Sequence, residues 1–407
     1  METSIGKERH SSWLENFYDL IVTIVVSQLS IIISHDVSLN GFVDFVVLFI
    51  PVWWSWTGVT FYNTRFDTDD LGHRLLTLLQ MAAAAFMAIS VPNAFLSKNS
   101  AGFAISYAVI RILLVIEYVR TGHSAPATRP LTKRYSIGFS IAAAFWFISA
   151  FIPPPFRFLL WAAGLVIDIA TPMVFTRQLS ARFAPHIYHL PERFGSFTII
   201  VLGIAILGFV DGIAEEHNWS LQSISESALG LGIAFSLWWV YFDSIDGSVI
   251  KALRRDKRIG IYTAWLYIHF PLAIGFTAFG VSLEGVVLSD QHIVLPLAET
   301  MLMCGSVSLC LFSLGILQIV SSRGKALERK HKENDYLDSS IYNNNHQILE
   351  QKSTAKYSIA AAIFVIFFPI LGQNLLPIFI MIVVGIACVG QVILDIKYHP
   401  QHRRFKI

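Results

Sequence analysis

Twelve apolar runs, each close to the length needed to cross a bilayer, dominate this chain. A membrane-spanning helix needs roughly 20 mostly apolar residues. Such runs lie at 13–34, 41–61, 74–96, 101–119, 135–152, 156–175, 195–214, 222–242, 260–283, 297–321, 357–373 and 374–396. Only 14% of the 407 residues are charged, whereas about a quarter of a soluble domain is. The sequence predicts an all-α integral membrane protein with about twelve transmembrane helices and no soluble domain.

The positions of lysine and arginine indicate how these helices are oriented. Of the 30 Lys and Arg residues, 27 fall in the termini and in the alternate loops on one side of the predicted membrane. Because short cytoplasmic loops collect Lys and Arg, we predict that both termini are cytoplasmic, in what we expect to be the plasma membrane. On the same side, the hydrophilic stretch 323–356 is predicted to be a partly disordered loop.

Matching landmarks about 185 residues apart suggest an internal duplication. Glu8-Arg9 precedes the pair Trp53-Trp54, and Glu192-Arg193 precedes Trp238-Trp239 at nearly the same distance. Six helices separate the landmarks, so both halves enter the membrane in the same direction. We predict two parallel six-helix repeats, 1–176 and 177–407, an arrangement found in secondary transporters.

Ionisable residues inside the predicted spans are the candidate functional residues, since such groups are rare in lipid and tend to face a bundle interior or a water-filled path. Glu15 and Asp19 are four residues apart and so share one face of the first helix. Arg111 lies in the middle of the fourth span and needs either an anion or several carbonyl groups as partners. Asp168 of the sixth span is the favoured partner, with Asp19 second. These four residues are predicted to line an ion or substrate pathway, and the alternative for each is a static ion pair.

His269 is the fifth candidate pathway residue. It lies in the middle of the ninth span, two residues before Pro271, which removes a backbone hydrogen bond and kinks a helix. Histidine titrates near neutral pH and suits proton transfer. A hydrogen-bonded structural histidine is the alternative.

Patterns for metal binding, cofactors and catalysis are missing from the sequence. Asp67, Asp69 and Asp70 share a loop that lacks a calcium-binding pattern, and His186 and His189 have no third ligand nearby in sequence. We therefore expect no metal, no cofactor and no enzymatic activity. The expected partners are the bilayer and either protons or a small solute, and a formal net charge of +2 gives no indication of nucleic-acid binding.

Several segments, in the same order, resemble the bacterial low temperature requirement A (LtrA) family. They are RHSSWLENFYD at 9–19, Trp53-Trp54, Arg65-Phe66-Asp67, Glu192-Arg193-Phe194-Gly195, WWVYFD at 238–243 and Tyr267-Ile268-His269-Phe270-Pro271. The resemblance implies a multi-pass membrane protein and no particular reaction. One departure is Leu202-Gly203-Ile204, where the family usually reads Leu-Gly-Glu. If that acid works in relatives, this chain has lost its function or carries it elsewhere.

These observations favour a secondary transporter of unknown substrate. Protons are the expected coupling ion. Two alternatives stay open. A cation channel would suit the aromatic–aspartate signature Phe17-Tyr18-Asp19, and a non-transporting membrane protein for cold or stress adaptation would suit the family name.

Overall fold

The computed structural model describes residues 10–66, 68–95, 100–179, 184–215, 221–289, 293–335, 341–371 and 375–398. All regular structure in these residues is helical. The helices are α1 Trp13–His35, α2 Leu39–Arg65, α3 Leu71–Ser90, α4 Ser100–Ser124, α5 Arg129–Ser149, α6 Phe156–Leu179, α7 His189–Glu215, α8 Leu221–Ser244, α9 Ser248–Asp256, α10 Ile259–Leu288, α11 Leu297–Asp335, α12 Ile341–Leu371 and α13 Pro377–Tyr398. The all-helical prediction is confirmed.

Ten helices within the described ranges are long and apolar enough to cross a membrane. The multi-pass membrane architecture is therefore confirmed, and each predicted span has a matching long helix. Among the long helices, α5 and α12 are outside this set; α9 has only nine residues. The first turns of α5 carry Arg129, Lys133 and Arg134, and the apolar part of α12 is limited to Thr354–Ile370.

The hydrophilic stretch 323–356 differs from its prediction. Helix α11 continues to Asp335 and α12 begins at Ile341, so 323–335 and 341–356 are helical. The prediction of a partly disordered loop is wrong for these residues. The reason is local, because Ala, Leu, Lys, Arg and Glu are all strong helix formers. A polar composition ends the membrane-spanning part of α11 without ending the helix.

Helix α9 lies in a segment that the sequence analysis assigned to a loop. It buries Val249, Ile250 and Leu253, and the ammonium of Lys251 lies 3.0 Å from the Glu328 carboxylate on α11. Nine residues are far too few to span a bilayer. Its apolar stripe is therefore too short for the criterion used to find spans, and it packs on the extension of α11 instead.

The chain divides into two compact units. The first unit comprises Met1–Ile32 and Asn40–Phe197, and the second comprises Ile33–Leu39 and Thr198–Ile407. Their boundary falls inside α7, whereas the predicted repeats meet at 176/177. The two-repeat arrangement stays a prediction.

The acidic loop before α3 holds helix ends together. Asp70 is the N-cap of α3, and its carboxylate accepts a 2.9 Å hydrogen bond from the backbone N–H of His73. The same carboxylate pairs with Arg120 of α4. Asp69 forms an ion pair with Arg74 at 2.8 Å, while Asp67 lies outside the described residues. The described acids thus have structural partners.

Removing the Asp70 cap is expected to lower the thermal stability of the protein. The pKa of Asp70 lies below its ordinary value, first because of the His73 N–H and then because of Arg120. A carboxylate with a lowered pKa stabilises the fold above that pKa and loses this effect as the pH falls through it. At pH 7 we expect Asp70→Ala to lower the melting temperature more than Asp70→Asn, since asparagine also caps helices well.

Thermal melts of the purified protein between pH 3 and pH 7 check this expectation. The difference between the parent and Asp70→Asn should shrink as the pH falls below about 4, where aspartate protonates. A difference that is independent of pH would contradict the role given to the charge.

Candidate functional site

Two acids of α1 face two bases of α7. The Glu15 carboxylate lies 3.0 Å from Nε2 of His189, and the Asp19 carboxylate lies 2.6 Å from Nη2 of Arg193. Asp19, His189 and Arg193 are fully buried, and Glu15 is 4% exposed. Spacings of four residues on both helices place the two pairs one turn apart. We call these four residues the charged ladder.

The ladder fixes the relative direction of its two helices. Both pairs join residues separated by 174 positions, so α1 and the first turns of α7 run parallel. Parallel helices imply an odd number of membrane crossings between them. The five intervening helices, α2 to α6, satisfy this only if α5 crosses as well. The ladder therefore supports counting α5 as a span despite its charged first turns.

Asp19 has a second donor from α2. Nε1 of Trp56 donates a 2.7 Å hydrogen bond to the same carboxylate oxygen that Arg193 contacts. The indole is fully buried and stacks on Phe197, with ring centroids 4.1 Å apart. Packing thus holds the donor in place, so the Asp19 carboxylate is fixed by three helices.

Arg111 and Asp168 form a second buried pair in the same unit. Nε of Arg111 lies 2.7 Å from Oδ2 of Asp168, and both side chains are fully buried. The hydroxyl of Tyr107, one turn before Arg111, donates a hydrogen bond to the Asp168 carboxylate. Nη2 of Arg111 donates to the backbone carbonyl of Trp54 at 3.0 Å. The structure thus pairs Arg111 with the partner that the sequence analysis favoured over Asp19.

Gly58 provides the space for the Arg111 guanidinium. A Cβ atom at Gly58 would collide with Nη1 of Arg111 and would lie 3.2 Å from a methyl carbon of Leu114. Any larger side chain on this turn of α2 therefore displaces the guanidinium, and with it the Asp168 pair.

We expect Gly58→Ala to destabilise the protein by about 1–3 kcal/mol, the usual cost of overpacking a tight interior site. Gly305→Ala is the matched control, because a Cβ atom there meets only Ile366 at an ordinary 3.8 Å. Both changes gain the helix propensity of alanine, so the difference isolates the collision. Denaturation in detergent measures it, and equal stabilities for the two variants would contradict the crowding at Gly58.

A further buried acid is not among the candidate residues of the sequence analysis. Glu117 of α4 is fully buried, with one carboxylate oxygen 2.9 Å from Nδ1 of His73. Nε2 of Gln80 donates to the other oxygen at 3.3 Å. The position of Glu117 inside the predicted span 101–119 could have marked it as a candidate. Its partner His73 lies just outside the predicted span 74–96, so the pair was not predicted. Arg193 and His189 were missed for the same reason.

Glu15 also has a structural role at the start of α1. Its carboxylate accepts a 2.8 Å hydrogen bond from the backbone N–H of Ser12, and the Ser12 hydroxyl accepts one from the Glu15 N–H at 3.2 Å. This reciprocal pair is a capping box, which stabilises a helix N-terminus. Glu15 therefore joins the helix cap to the ladder, whereas the side-chain partners of Asp19 described above lie on α2 and α7.

Several buried polar atoms around these pairs lack hydrogen-bond partners within the described part of the chain. They are the Tyr18 hydroxyl, Oδ2 of Asp19, Nη1 of Arg111, and Nε and Nη1 of Arg193. Tyr18 is fully buried and interacts electrostatically with Arg111, Asp19 and Arg193, so it lies near both pairs. Unsatisfied buried polar groups are costly, and ordered water commonly satisfies them.

A protein-family model described as bacterial low temperature requirement A protein (LtrA) matches residues 10–393, nearly the whole chain. The chain belongs to the LtrA family. Among relatives, an uncharacterized protein of Rhizobium meliloti (strain 1021) is 28% identical over 305 residues, which cover 67% of this chain and 72% of that protein.

The segments that carry the LtrA resemblance also supply most of the charged ladder. RHSSWLENFYD contains Glu15 and Asp19, and the Glu-Arg-Phe-Gly segment contains Arg193 and the Phe194 ring, 4.9 Å from Trp56. Ile204, the departure from the family pattern noted in the sequence analysis, belongs to the second unit. The residues of the three buried acid–base pairs Asp19–Arg193, Arg111–Asp168 and His73–Glu117 all belong to the first unit.

His269 lies in the second unit and has the contacts of a structural histidine. Nδ1 is 2.7 Å from the backbone carbonyl oxygen of Trp265 one turn earlier, and the ring packs edge-on against Trp265 and Tyr241. The side chain is only 3% exposed. Its pathway role stays a prediction, and its described contacts match the structural alternative.

Metal ligation has no candidate in the described ranges, where no three His, Cys, Asp or Glu side chains are grouped closely enough to hold an ion. His189, considered above as half of a histidine pair, directs Nε2 to Glu15 instead. The chemistry that this arrangement can perform is exchange of protons or charged partners between acid–base pairs.

Proposed function

We propose that this LtrA protein is a proton-coupled secondary transporter whose coupling groups are the charged pairs of the first unit. The observation that carries the proposal is that Asp19, Asp168 and Glu117 are all fully buried and each is paired with a base from another helix. The proposal includes no catalytic reaction. It places the protein in the plasma membrane with both termini in the cytoplasm, acting on protons and a small solute.

The physical reason is the free energy of burying charge. Removing an ion from water costs several kcal/mol even after relaxation, and well-packed apolar residues in place of a buried pair are often neutral or stabilising. A fold that needs only rigidity has cheaper solutions in lipid. Intramembrane ionisable groups are therefore a functional hypothesis by default, and three such pairs in one unit strengthen it.

The arrangement suits coupling because each pair has two stable states. A nearby base favours the ionised form of the carboxylate. When the base moves away, the isolated buried carboxylate favours binding a proton, since desolvation disfavours its charged form. Opening and closing a pair thus takes up and releases one proton. The unpartnered polar atoms of Tyr18, Asp19 and Arg193 are groups that water entering the ladder would bind.

The experiment is ion flux in proteoliposomes that contain the purified full-length protein. An internal pH dye is read under imposed proton, sodium and potassium gradients for the parent, Asp19→Asn and Asp168→Asn. Asp36→Asn is the matched control, because Asp36 directly follows α1 and its side chain is exposed. We expect flux in the parent and the control, and none in the two buried-acid variants.

The possible results separate the alternatives. A turnover typical of channels, far above that of an alternating-access carrier, would replace the transporter proposal with the cation channel. Equal flux in Asp19→Asn, Asp168→Asn and the parent would remove the buried acids from the pathway. No flux above empty liposomes for any of the three ions, with folded protein, would overturn ion coupling and favour the non-transporting role.

A further inference from the structure

An open groove of about 510 Å³ runs between α12 and α13 in the second unit. Ala360, Ala387 and Gly390 are among its lining residues, and Phe364 and Ile386 flank it with more than half of their surface exposed. The lining is almost entirely apolar. Both helices are apolar over this stretch, so the surface faces the hydrocarbon of the bilayer.

The length of the groove matches one lipid leaflet. Its lining on α13 extends from Val383 to Leu394, which corresponds to about 16 Å of helix at 1.5 Å per residue. Half of the hydrocarbon core of a typical bilayer is about 15 Å. Small side chains on both helices, among them Ala360, Ala387 and Gly390, leave the space of the groove between them.

Two lysines stand at one end of the groove. Lys356 directly precedes Tyr357, a lining residue, and Lys397 lies three residues after the lining residue Leu394, on the same helix face. Both lysine side chains are exposed. The neighbouring acid Asp395 is 3% exposed and so is turned inward. Among the residues whose side chains the structure describes at this end, the mouth of the groove, the exposed charged ones are thus the two lysines.

The mouth lies on the side predicted to be cytoplasmic, where the leaflet carries anionic lipids. Tyr357 adds an aromatic ring of the kind enriched at the headgroup level. Nε2 of Gln391 donates to the backbone carbonyl of Thr354 at 3.2 Å, which ties α12 to α13 beneath this end. The two exposed lysines at this end are complementary in charge to a phosphate.

We propose that this groove binds one anionic phospholipid, with an acyl chain between α12 and α13 and the headgroup phosphate against Lys356 and Lys397. The apolar channel selects a lipid chain, and the lysines select the negative headgroup. The proposal is independent of transport, because it uses none of the charged pairs of the first unit.

Native mass spectrometry of the full-length protein tests the site. The protein is reconstituted in vesicles of equimolar phosphatidylglycerol and phosphatidylcholine with identical acyl chains, then extracted in mild detergent. The parent should retain one phosphatidylglycerol in preference to phosphatidylcholine. Lys356→Ala/Lys397→Ala should lower that preference by about fivefold per lysine. Lys133→Ala/Lys330→Ala, which removes two other exposed lysines, is the matched control and should leave it unchanged.

Filling the groove tests the position of the acyl chain. Ala387→Phe should abolish the retained lipid of either headgroup, and Gly390→Leu provides a second filling variant, with a thermal melt confirming that each is folded. Parent-like lipid binding in both filled variants would overturn the site. If the parent is a dimer and the filled variants are monomers, the groove is an interface between two copies of the chain. That result would also overturn the site. An unchanged preference in the double lysine variant would overturn the anionic headgroup.

Discussion

Replacing Arg111 with methionine is expected to cost about 3–5 kcal/mol of unfolding free energy, the cost of leaving one partner of a buried ion pair alone. Asp168 would remain fully buried and lose the guanidinium that lies 2.7 Å away. The Tyr107 hydroxyl, which also donates to Asp168, supplies a hydrogen bond and no charge. Asp168→Leu should be similarly destabilising, because the guanidinium of Arg111 would then be buried without a counter-ion.

The double variant Arg111→Met/Asp168→Leu is the informative member of this set. An apolar pair of similar volume removes both desolvation costs, so we expect it to recover most of the parent's stability. Denaturation in detergent of all four proteins gives the coupling between the two sites. Arg74→Met is the control, since its partner Asp69 and Arg74 itself are both well exposed, and exposed ion pairs contribute little.

The same set separates stability from function. A double variant that is as stable as the parent and has no ion flux would assign the pair to transport. A double variant that is as unstable as the single ones would contradict the ion-pair account, since the packing around the side chains, and not their charge, would then dominate.

Tyr18→Phe is expected to reduce ion flux by about tenfold or more while leaving stability equal or higher. The Tyr18 hydroxyl is buried without a hydrogen-bond partner in the described residues, so removing it costs no protein–protein bond. If water connects this hydroxyl to the charged pairs, removing the hydroxyl breaks a water-mediated hydrogen bond to a charged group. Such a hydrogen bond contributes about 1.5–3 kcal/mol, and each 1.36 kcal/mol of barrier changes a rate tenfold.

Tyr241→Phe is the matched control for this prediction. Tyr241 is also fully buried, but it belongs to the second unit and packs against His269. We expect parent-like flux from it in the same proteoliposome assay. Parent-like flux from Tyr18→Phe would remove the hydroxyl from the pathway, and a large loss of stability would mean that it has a protein partner after all.

The transmembrane helices could be predicted because each depends on a continuous apolar run, which is a local property of the sequence. The partners of the buried charges are not local. Glu15 and His189 are separated by 174 positions, and no pattern in either segment specifies the other. Arg111 with Asp168 was identifiable for a special reason, since an arginine in mid-span restricts its partners to the few acids at similar depth.

The bases of the ladder were missed because they lie at the start of a helix. Arg193 was assigned to a cytoplasmic loop, as basic residues flanking an apolar run usually are. In the structure α7 begins at His189, so its first turns bury two bases before the apolar run starts. Composition shows where a helix becomes apolar. It does not show where the helix begins or which of its faces is buried by other helices.

The equal spacing of the charged ladder also determines how α7 can move. Acids at Glu15 and Asp19 and bases at His189 and Arg193 repeat with the same period, along parallel helices. A slide of α7 by one helical turn, about 5.4 Å, would bring Arg193 opposite Glu15 and separate the other two residues. One salt bridge is thus available at both ends of the step. The ladder thus has two discrete registers, and a shift of one helix between them, of the kind that links alternative states in other proteins, would leave Asp19 without its arginine in the second register.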